Sequence, residues 1–304
     1  MDIQAIISQL AVLFIIIALG FVSSKFKALP PDTGKILTKV VLNITVPCTM
    51  LNSVIGGNLE ITGGAAAFYM LMSLLALLVT AAIAIPASRL IGKAKADKGV
   101  YASLMLMANS GFMGFPMAQA VFGPESTFYV ALNLIPFHII SFSLGVMLIS
   151  GKSKFDLSIF RSPTMIASIC VIPLALIGFT APKIVIDAVS LIGGATTPCS
   201  MLVIGFTLGQ VALRGVFTEW RLYAATLIKL VAIPVAVWLV LSRIPMGDLM
   251  RGVLVLVSSM PTAAIVAMFA IEHGGNQKVA SGGIFLTTLL SGVTMPIIVY
   301  LLLI

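Results

Sequence analysis

Long apolar segments alternate with short polar connections along almost the whole chain. A helix needs roughly 20 mainly apolar residues to cross about 30 Å of hydrocarbon, so each such segment predicts one membrane span. The ten predicted spans are 3–23, 34–53, 64–88, 99–121, 127–150, 163–180, 184–209, 220–242, 249–271 and 279–304. Their length and continuity indicate helices, so the pattern predicts an all-α membrane protein with ten transmembrane helices.

Three short motifs recur at an offset of about half the chain. Residues 47–51 (PCTML) reappear with one change as residues 198–202 (PCSML). The other two pairs, in the same order, are 84–87 with 232–235 and 115–118 with 260–263. The pattern predicts two halves, 1–155 and 156–304, with five spans each. Because five is an odd number, the second half must be inverted in the membrane, and such repeats are typical of secondary transporters.

Composition supports the membrane assignment. Of the 304 residues 60% are hydrophobic and only 9% are charged, more apolar surface than a soluble domain of this size can bury. Asp2 stands where a signal peptide would carry basic residues, and the apolar run from Ile3 to Val22 is too long for one, so we expect no cleavable signal. The three cysteines lie in apolar segments, and we expect neither a disulfide scaffold nor a metal site.

Charge is distributed unequally between the two sets of connections. One set carries Lys25, Lys27, Lys35, Lys39, Arg89, Lys93, Lys95, Lys98, Lys152, Lys154, Arg161, Arg214, Arg221 and Lys278. The other carries Lys183, Arg243 and Arg251, together with Glu60 and Glu125. The positive-inside rule makes the first set cytoplasmic, which places both termini outside. The net charge of +8 then reflects contact with anionic membrane lipid, and no nucleic-acid surface is predicted.

Predicted span four contains the richest motif, Asn109-Ser110-Gly111-Phe112-Met113-Gly114-Phe115-Pro116, and span nine has a counterpart in residues 258–262 (SSMPT). Proline removes an amide donor, and glycine makes a helix easier to unwind. One interpretation is a pair of proline kinks with small residues for close packing. The other is a pair of broken, crossing helices, whose free amides at a half-helix N-terminus would suit a carboxylate.

Residues 109–123 (NSGFMGFPMAQAVFG) resemble the signature of the auxin efflux carrier family, which includes bacterial organic-acid permeases and plant PIN-type carriers. Residues 39–43 before Pro47, residues 260–263, and the segment from Phe285 to Pro296 are also similar to that family. The resemblance implies a bile-acid-sodium-symporter-like fold. In it, spans one, two, six and seven form a scaffold, and a moving domain contains the broken helices. Bacterial members are associated with malonate or malate, and the absent long cytoplasmic loop makes this chain similar to them.

Candidate substrate-binding residues cluster in the two proline motifs: Asn109, Ser110, Gly111, Gly114, Pro116, Met117, Ser258, Ser259, Pro261 and Thr262. No acidic residue lies at the centre of a predicted span, so such a cavity suits an anion better than a cation. Pro47 and Pro198 are predicted to have a structural role at helix breaks. We therefore expect a carrier of small organic anions that works by an elevator-like mechanism in a bacterial inner membrane.

Two ionisable residues lie deeper in predicted spans and are candidates for ion coupling. His138 suits a proton relay because histidine ordinarily titrates near neutral pH, although it could instead hydrogen-bond between helices. Lys229 could extend its ammonium group to the cytoplasmic surface or balance the charge of a substrate. Asn43, Thr45, Thr196 and Thr197 could pack helices or form a sodium site. The residues leave open whether a proton or a sodium ion is coupled.

The same residues leave other functional classes open. A carrier of aromatic, auxin-like acids, a passive anion channel and a sensor subunit all remain alternatives. An enzyme is not expected, because the chain has no His-Glu-x-x-His or Gly-x-Ser-x-Gly run and no acidic pair at membrane depth. No cofactor is expected either, and membrane lipid and a homodimer are the expected partners.

Overall fold

The computed structural model describes residues 3–56, 61–151, 160–211 and 216–303, and these ranges are almost entirely helical. Their helices are α1 (Ile3–Lys25), α2 (Thr33–Val40), α3 (Val46–Asn52), α4 (Gly63–Ile91), α5 (Lys95–Leu106), α6 (Phe115–Phe122), α7 (Ser126–Ile140), α8 (Val146–Ser150), α9 (Pro163–Leu176), α10 (Lys183–Gly194), α11 (Thr196–Gln210), α12 (Trp220–Leu227), α13 (Ile233–Leu241), α14 (Asp248–Ser259), α15 (Ile265–Glu272) and α16 (Gln277–Leu302). Within the described ranges, β-structure is limited to two isolated bridges. The prediction of an all-helical protein is confirmed for these residues.

Several consecutive helices join into longer ones. Among the described residues, seven helices are long and apolar enough to cross a membrane: Ile7–Lys25, Thr33–Asn52, Gly63–Ile91, Ser126–Ser150, Lys183–Gln210, Trp220–Leu241 and Gln277–Leu302. Predicted span six contains the shorter helix α9, and spans four and nine are each interrupted. Large apolar side chains cover the outer faces; Leu90, for example, is 88% exposed and Leu191 81% exposed. Such surfaces suit contact with lipid tails, and the chain is a multi-pass membrane protein.

Proline positions explain where several of the joined helices change geometry. The helices that contain Pro47, Pro116 and Pro234 each begin one residue before the proline and follow a five-residue π-helical turn. A proline ring clashes with the carbonyl group four residues earlier and donates no hydrogen bond, and a wider turn relieves both problems. Pro47 therefore widens its helix without breaking it. Pro198 lies in the first turn of α11, just after the irregular residue Ala195.

Helices α1 and α11 form the most extensive helix–helix contact among the described residues. Glycines allow their backbones to approach. A Cβ atom on Gly20 would lie 2.5 Å from the carbonyl oxygen of Leu202, and one on Gly205 would overlap the carbonyl oxygen of Ile17. Gly209 lies one turn beyond Gly205, a spacing typical of tightly packed membrane helices. The pair is consequently held by close backbone packing.

The first copy of the repeated proline motif contacts the residues just before the second copy. The Thr49 hydroxyl oxygen lies 2.7 Å from that of Thr196, and it donates to the carbonyl oxygen of Gly193 at 2.9 Å. Thr45 donates to Val41 within its own helix. The Thr49 hydroxyl group thus connects α3 with α10 and α11, which supports the helix-packing interpretation of Thr196, whereas the Thr45 hydroxyl group bonds within its own turn.

Some sequence-based expectations fall on residues that the structure does not describe. The predicted boundary near residue 155 and most of the predicted cytoplasmic linker belong to 152–159. Asp2, Glu60, Lys152, Lys154 and Arg214 also lie outside the described residues. The division into two halves and the assignment of these charges to one side stay predictions.

Candidate functional site

The interruptions of predicted spans four and nine lie against each other in the interior. Helix α5 ends at Leu106 and α14 ends at Ser259. Beyond these ends, the amide of Asn109 donates to the carbonyl oxygen of Pro261 at 2.8 Å, and the amide of Ala263 donates to that of Met107 at 2.9 Å. The two bonds make an antiparallel bridge between Ala108 and Thr262. We call residues 107–109 and 260–264 the crossing.

Side-chain hydroxyl groups complete the crossing. Thr262 is buried, and its hydroxyl group donates to the carbonyl oxygen of Leu104 at 2.6 Å. Its amide donates to the hydroxyl oxygen of Thr287 on α16 at 3.2 Å. Buried polar groups without partners are costly, so these bonds satisfy backbone groups that the two helix ends would otherwise leave free. Thr287 lies in the segment from Phe285 to Pro296 that resembles the family, but no sequence pattern predicted this contact.

The helix that continues after Asn109 begins with the π-helical turn Ser110–Gly114. The carbonyl oxygen of Asn109 accepts from the amides of Met113 at 3.1 Å and Gly114 at 3.2 Å. The first amides of a helix have no acceptor within the helix, and here they belong to residues around Gly111. No heavy atom lies within 4 Å of the position that a Cβ on Gly111 would take. A helix N-terminus therefore borders open space beside Asn109.

A small cavity of about 20 Å³ lies on one side of the crossing. Its polar lining consists of Ser73, Thr80, Ser110, Asn133, Lys229 and Ser258. The amide group of Asn133 donates to the Ser73 hydroxyl at 2.6 Å. The buried Oγ of Ser110 and Oδ1 of Asn133 have no hydrogen-bond partner. This space holds about one water molecule. A dicarboxylate does not fit in this conformation.

Lys229 lies in the π-helical turn Ile228–Ala232 and is 1% exposed. Its Nζ donates to the carbonyl oxygen of Ser258 at 3.1 Å, in the last turn of α14. The interpretation in which Lys229 extends to the cytoplasmic surface is therefore wrong. The carbonyl-rich C-terminal end of α14 attracts the Lys229 amino group.

His138 lies apart from this cavity. Its ring contacts Phe142, with centroids 6.4 Å apart, and Phe142 packs edge-on against Phe269 at 5.2 Å. Phe269 in turn contacts His273 at 6.0 Å. Both histidines of the chain thus belong to one aromatic cluster between α7 and α15.

The other predicted site residues have mainly internal contacts. The Ser258 and Ser259 hydroxyl groups donate to the carbonyl oxygens of Val255 and Leu256, both at 2.7 Å, in their own helix. Pro116 and Met117 are buried in the first turn of α6. A Cβ on Gly114 would lie 3.2 Å from Val130 on α7. Of the ten candidates, Asn109, Pro261 and Thr262 thus belong to the crossing, and Ser110 and Ser258 line the small cavity.

A larger crevice of about 310 Å³ lies between the end of α3 and the start of α7. Polar residues line it: Thr49, Asn52, Ser53, Gln119, Glu125 and Thr127. The exposed carboxylate of Glu125 repels an anion at this place. No group of three or more His, Cys, Asp or Glu residues in the described part of the chain is arranged to hold a metal ion.

Comparison with known proteins agrees with this architecture. The sequence model of a family described as "Membrane transport protein" matches residues 5–155 and, a second time, residues 147–299. An uncharacterized transporter of Methanocaldococcus jannaschii is 25% identical over 293 residues, which cover 92% of this chain and 93% of that protein. Another, from Methanothermobacter thermautotrophicus, is 25% identical over 298 residues, which cover 93% of this chain and 94% of that protein.

The name of a third relative includes a substrate. The "Putative malonate transporter" of Rhizobium meliloti is 28% identical over 206 residues, 64% of each chain. The two matches of the family model together span nearly the whole sequence. The chain therefore belongs to the membrane transport protein family, which is the auxin efflux carrier family that its proline motifs resemble.

Proposed function

We propose that this protein is a secondary transporter of small organic anions, with dicarboxylates such as malonate or malate as substrates. The observation that carries the proposal is the crossing, where two interrupted helices are joined by backbone bonds beside a helix N-terminus and a buried lysine. Free amides at a helix N-terminus favour anions. The name of the Rhizobium meliloti relative supports the dicarboxylate class.

In the proposed site one substrate carboxylate binds at the amides near Gly111, next to Asn109 and Ser110. The open space beside Gly111 and the unpartnered Ser110 hydroxyl support this position. The remaining candidates, Gly114, Pro116, Met117, Ser259, Pro261 and Thr262, shape the crossing around it. Lys229, which contacts Ser258 beside the second interruption, supplies a positive charge.

Transport proceeds by an elevator-like alternation. The cavity beside the crossing has room for about one water molecule, so a substrate enters only after helices move. The tightly packed α1 and α11 belong to the scaffold, and the interrupted helices belong to the moving domain. Two inverted repeats, 1–155 and 156–304, allow the helices to adopt two related arrangements, one open to each side of the membrane. The double match of the family model supports the two repeats. Both termini face outward from a bacterial inner membrane.

Substrate counterflow in proteoliposomes tests this function. Vesicles loaded with unlabelled malonate or malate should accumulate the labelled compound transiently, and the initial rate should saturate. Saturable exchange separates a carrier from a passive channel and from a sensor. An absence of exchange for both compounds contradicts the dicarboxylate assignment, and aromatic acids would then be screened in the same vesicles.

Asn109→Ala tests the position of the site. A hydrogen bond to a charged group contributes about 1.5–3 kcal/mol, so the affinity for malonate should fall by roughly tenfold or more. The amount of protein inserted in the membrane should not change, because the backbone bonds of Asn109 are retained. The exposed Gln277, outside both proline motifs, provides a control as Gln277→Ala. An unchanged affinity in Asn109→Ala removes this side chain from the site.

A further inference from the structure

Lys229 has no acidic partner among the described residues. The ion pairs in this part of the chain join Lys35 with Asp32, Arg221 with Glu219, and Arg251 with Asp248. Lys229 instead donates to the neutral carbonyl group of Ser258. A buried ammonium group without an anion is unfavourable, and such a group recruits an anion or loses its proton.

The helices packed around Lys229 carry other titratable groups. These are Tyr69 and Arg89 on α4, Asp97, Lys98 and Tyr101 on α5, Tyr129 and His138 on α7, Arg221 and Tyr223 on α12, Asp248 and Arg251 on α14, and Lys278 and Tyr300 on α16. None of them lines the cavity that Lys229 lines. Even Arg221, on the same helix, is eight residues away, which is about 12 Å along the axis.

The cavity beside Lys229 contains unsatisfied polar atoms. Ser110 is fully buried and Asn133 is 4% exposed, and neither Ser110 Oγ nor Asn133 Oδ1 has a partner. Both residues line the same small space as Lys229 and Ser258. Ser110 also follows Asn109 at the crossing, so this space borders the proposed substrate site. An anion placed there has an ammonium group and a hydroxyl group within reach after a modest opening.

We propose that Lys229 is the proton-binding group of the carrier, protonated when an anion occupies the crossing and neutral when the site is empty. The inference rests on the proposed function and adds the coupling ion to it. When the anion binds, the amine lone pair takes a proton from a hydronium ion, so that an N–H bond forms as an O–H bond breaks and water is left. When the anion leaves, that bond breaks, the electron pair stays on nitrogen, and the proton returns to water on the side to which the site is open.

This chemistry couples each anion to a proton. With the anion bound, the ammonium charge offsets one carboxylate charge, and with the site empty, no uncompensated charge stays in the interior. Net transport in one direction therefore carries a proton with the anion, and a pH gradient drives it. His138 is not needed for this step, because it does not line the cavity that Lys229 and Ser110 share.

Proton uptake on binding is the decisive measurement. Malonate or malate is titrated into the purified full-length protein by calorimetry, at one pH, in buffers that differ in ionisation enthalpy. The observed enthalpy should change linearly with the buffer enthalpy, with a slope of about one proton taken up per anion bound. Binding with a slope of zero overturns the inference and leaves the transport function intact.

Variants of Lys229 assign the proton to this residue. In Lys229→Arg the guanidinium group keeps its charge, so the anion should bind with no proton uptake, and a pH gradient should no longer accelerate net transport while counterflow continues. In Lys229→Met, which is neutral and similar in length, affinity should fall at least about tenfold and proton uptake should be lost. The exposed Lys278 is the matched control as Lys278→Met, which should behave like the unmodified protein.

The outcomes separate the two proposals. If the unmodified protein binds neither dicarboxylate, the proposed substrate class fails and this inference fails with it. If it binds one with proton uptake, and the Lys229→Met and Lys229→Arg variants still take up about one proton, the proton belongs to another group and the inference alone is wrong. The buffer titration uses the unmodified protein, so a slope of zero contradicts the inference even if a variant misfolds.

Discussion

Thr262 shows how much of the crossing depends on single residues. Its backbone pairs with Ala108, its hydroxyl group donates to Leu104, and its amide donates to Thr287. These contacts connect α5 and α16 to the second interruption. A side chain of the same shape without the hydroxyl group would leave the Leu104 carbonyl oxygen unsatisfied in a buried position.

Thr262→Val should therefore lower the free energy of unfolding by about 1–2 kcal/mol. Thermal unfolding of the purified protein in detergent measures the change. Thr294→Val is a matched control on α16, because the Thr294 hydroxyl is buried and has no partner. Its removal should be neutral or stabilising. Equal effects of the two substitutions would show that the Thr262 hydroxyl bond contributes nothing to stability.

At the scale of helices, glycine and proline decide how the elements meet. Proline widens three helices into π-helical turns, and one of these turns holds Lys229 beside the crossing. Glycine lets α1 and α11 pack backbone against backbone. Within lipid there is little hydrophobic driving force between helices, so close packing of this kind is a main source of their association.

Gly205→Ala tests the packing of α1 against α11. The added methyl group would overlap the carbonyl oxygen of Ile17, and we expect a loss of about 1–3 kcal/mol in the free energy of unfolding. The control Gly194→Ala adds the same group to an exposed helical position with no atom within 4 Å, where a gain of about 0.5–1 kcal/mol is expected. Thermal unfolding in detergent compares the two, and a neutral Gly205→Ala would contradict the close contact.

For the whole molecule, orientation in the membrane is the property most directly open to test. The positive-inside rule places the connection with Lys93 in the cytoplasm and the one with Glu125 outside. Both residues are exposed, and the three natural cysteines can be replaced first. In intact cells an impermeant thiol reagent should label Glu125→Cys, whereas Lys93→Cys should be labelled only after permeabilisation. The opposite pattern would reverse the assignment of inside and outside.

Much of this architecture was predictable because membrane spans are encoded locally. An apolar run of sufficient length specifies a helix without reference to its neighbours, since unpaired backbone groups are too costly in lipid. The proline motifs at Pro116 and Pro261 likewise mark weak points in their own helices. The repeats and the motif around Asn109 were enough to indicate the transporter family, which the family model then showed.

Tertiary structure decided which of these local features meet. Nothing near Lys229 in sequence indicates whether its amino group reaches the surface, and the packing of α14 against its helix places it on Ser258 instead. The partners Thr262 and Leu104 are 158 residues apart, and no local pattern relates them. The sequence by itself determined the helices, their membrane environment and their weak points. Only the fold determined the crossing, because its contacts depend on the approach of distant backbone segments.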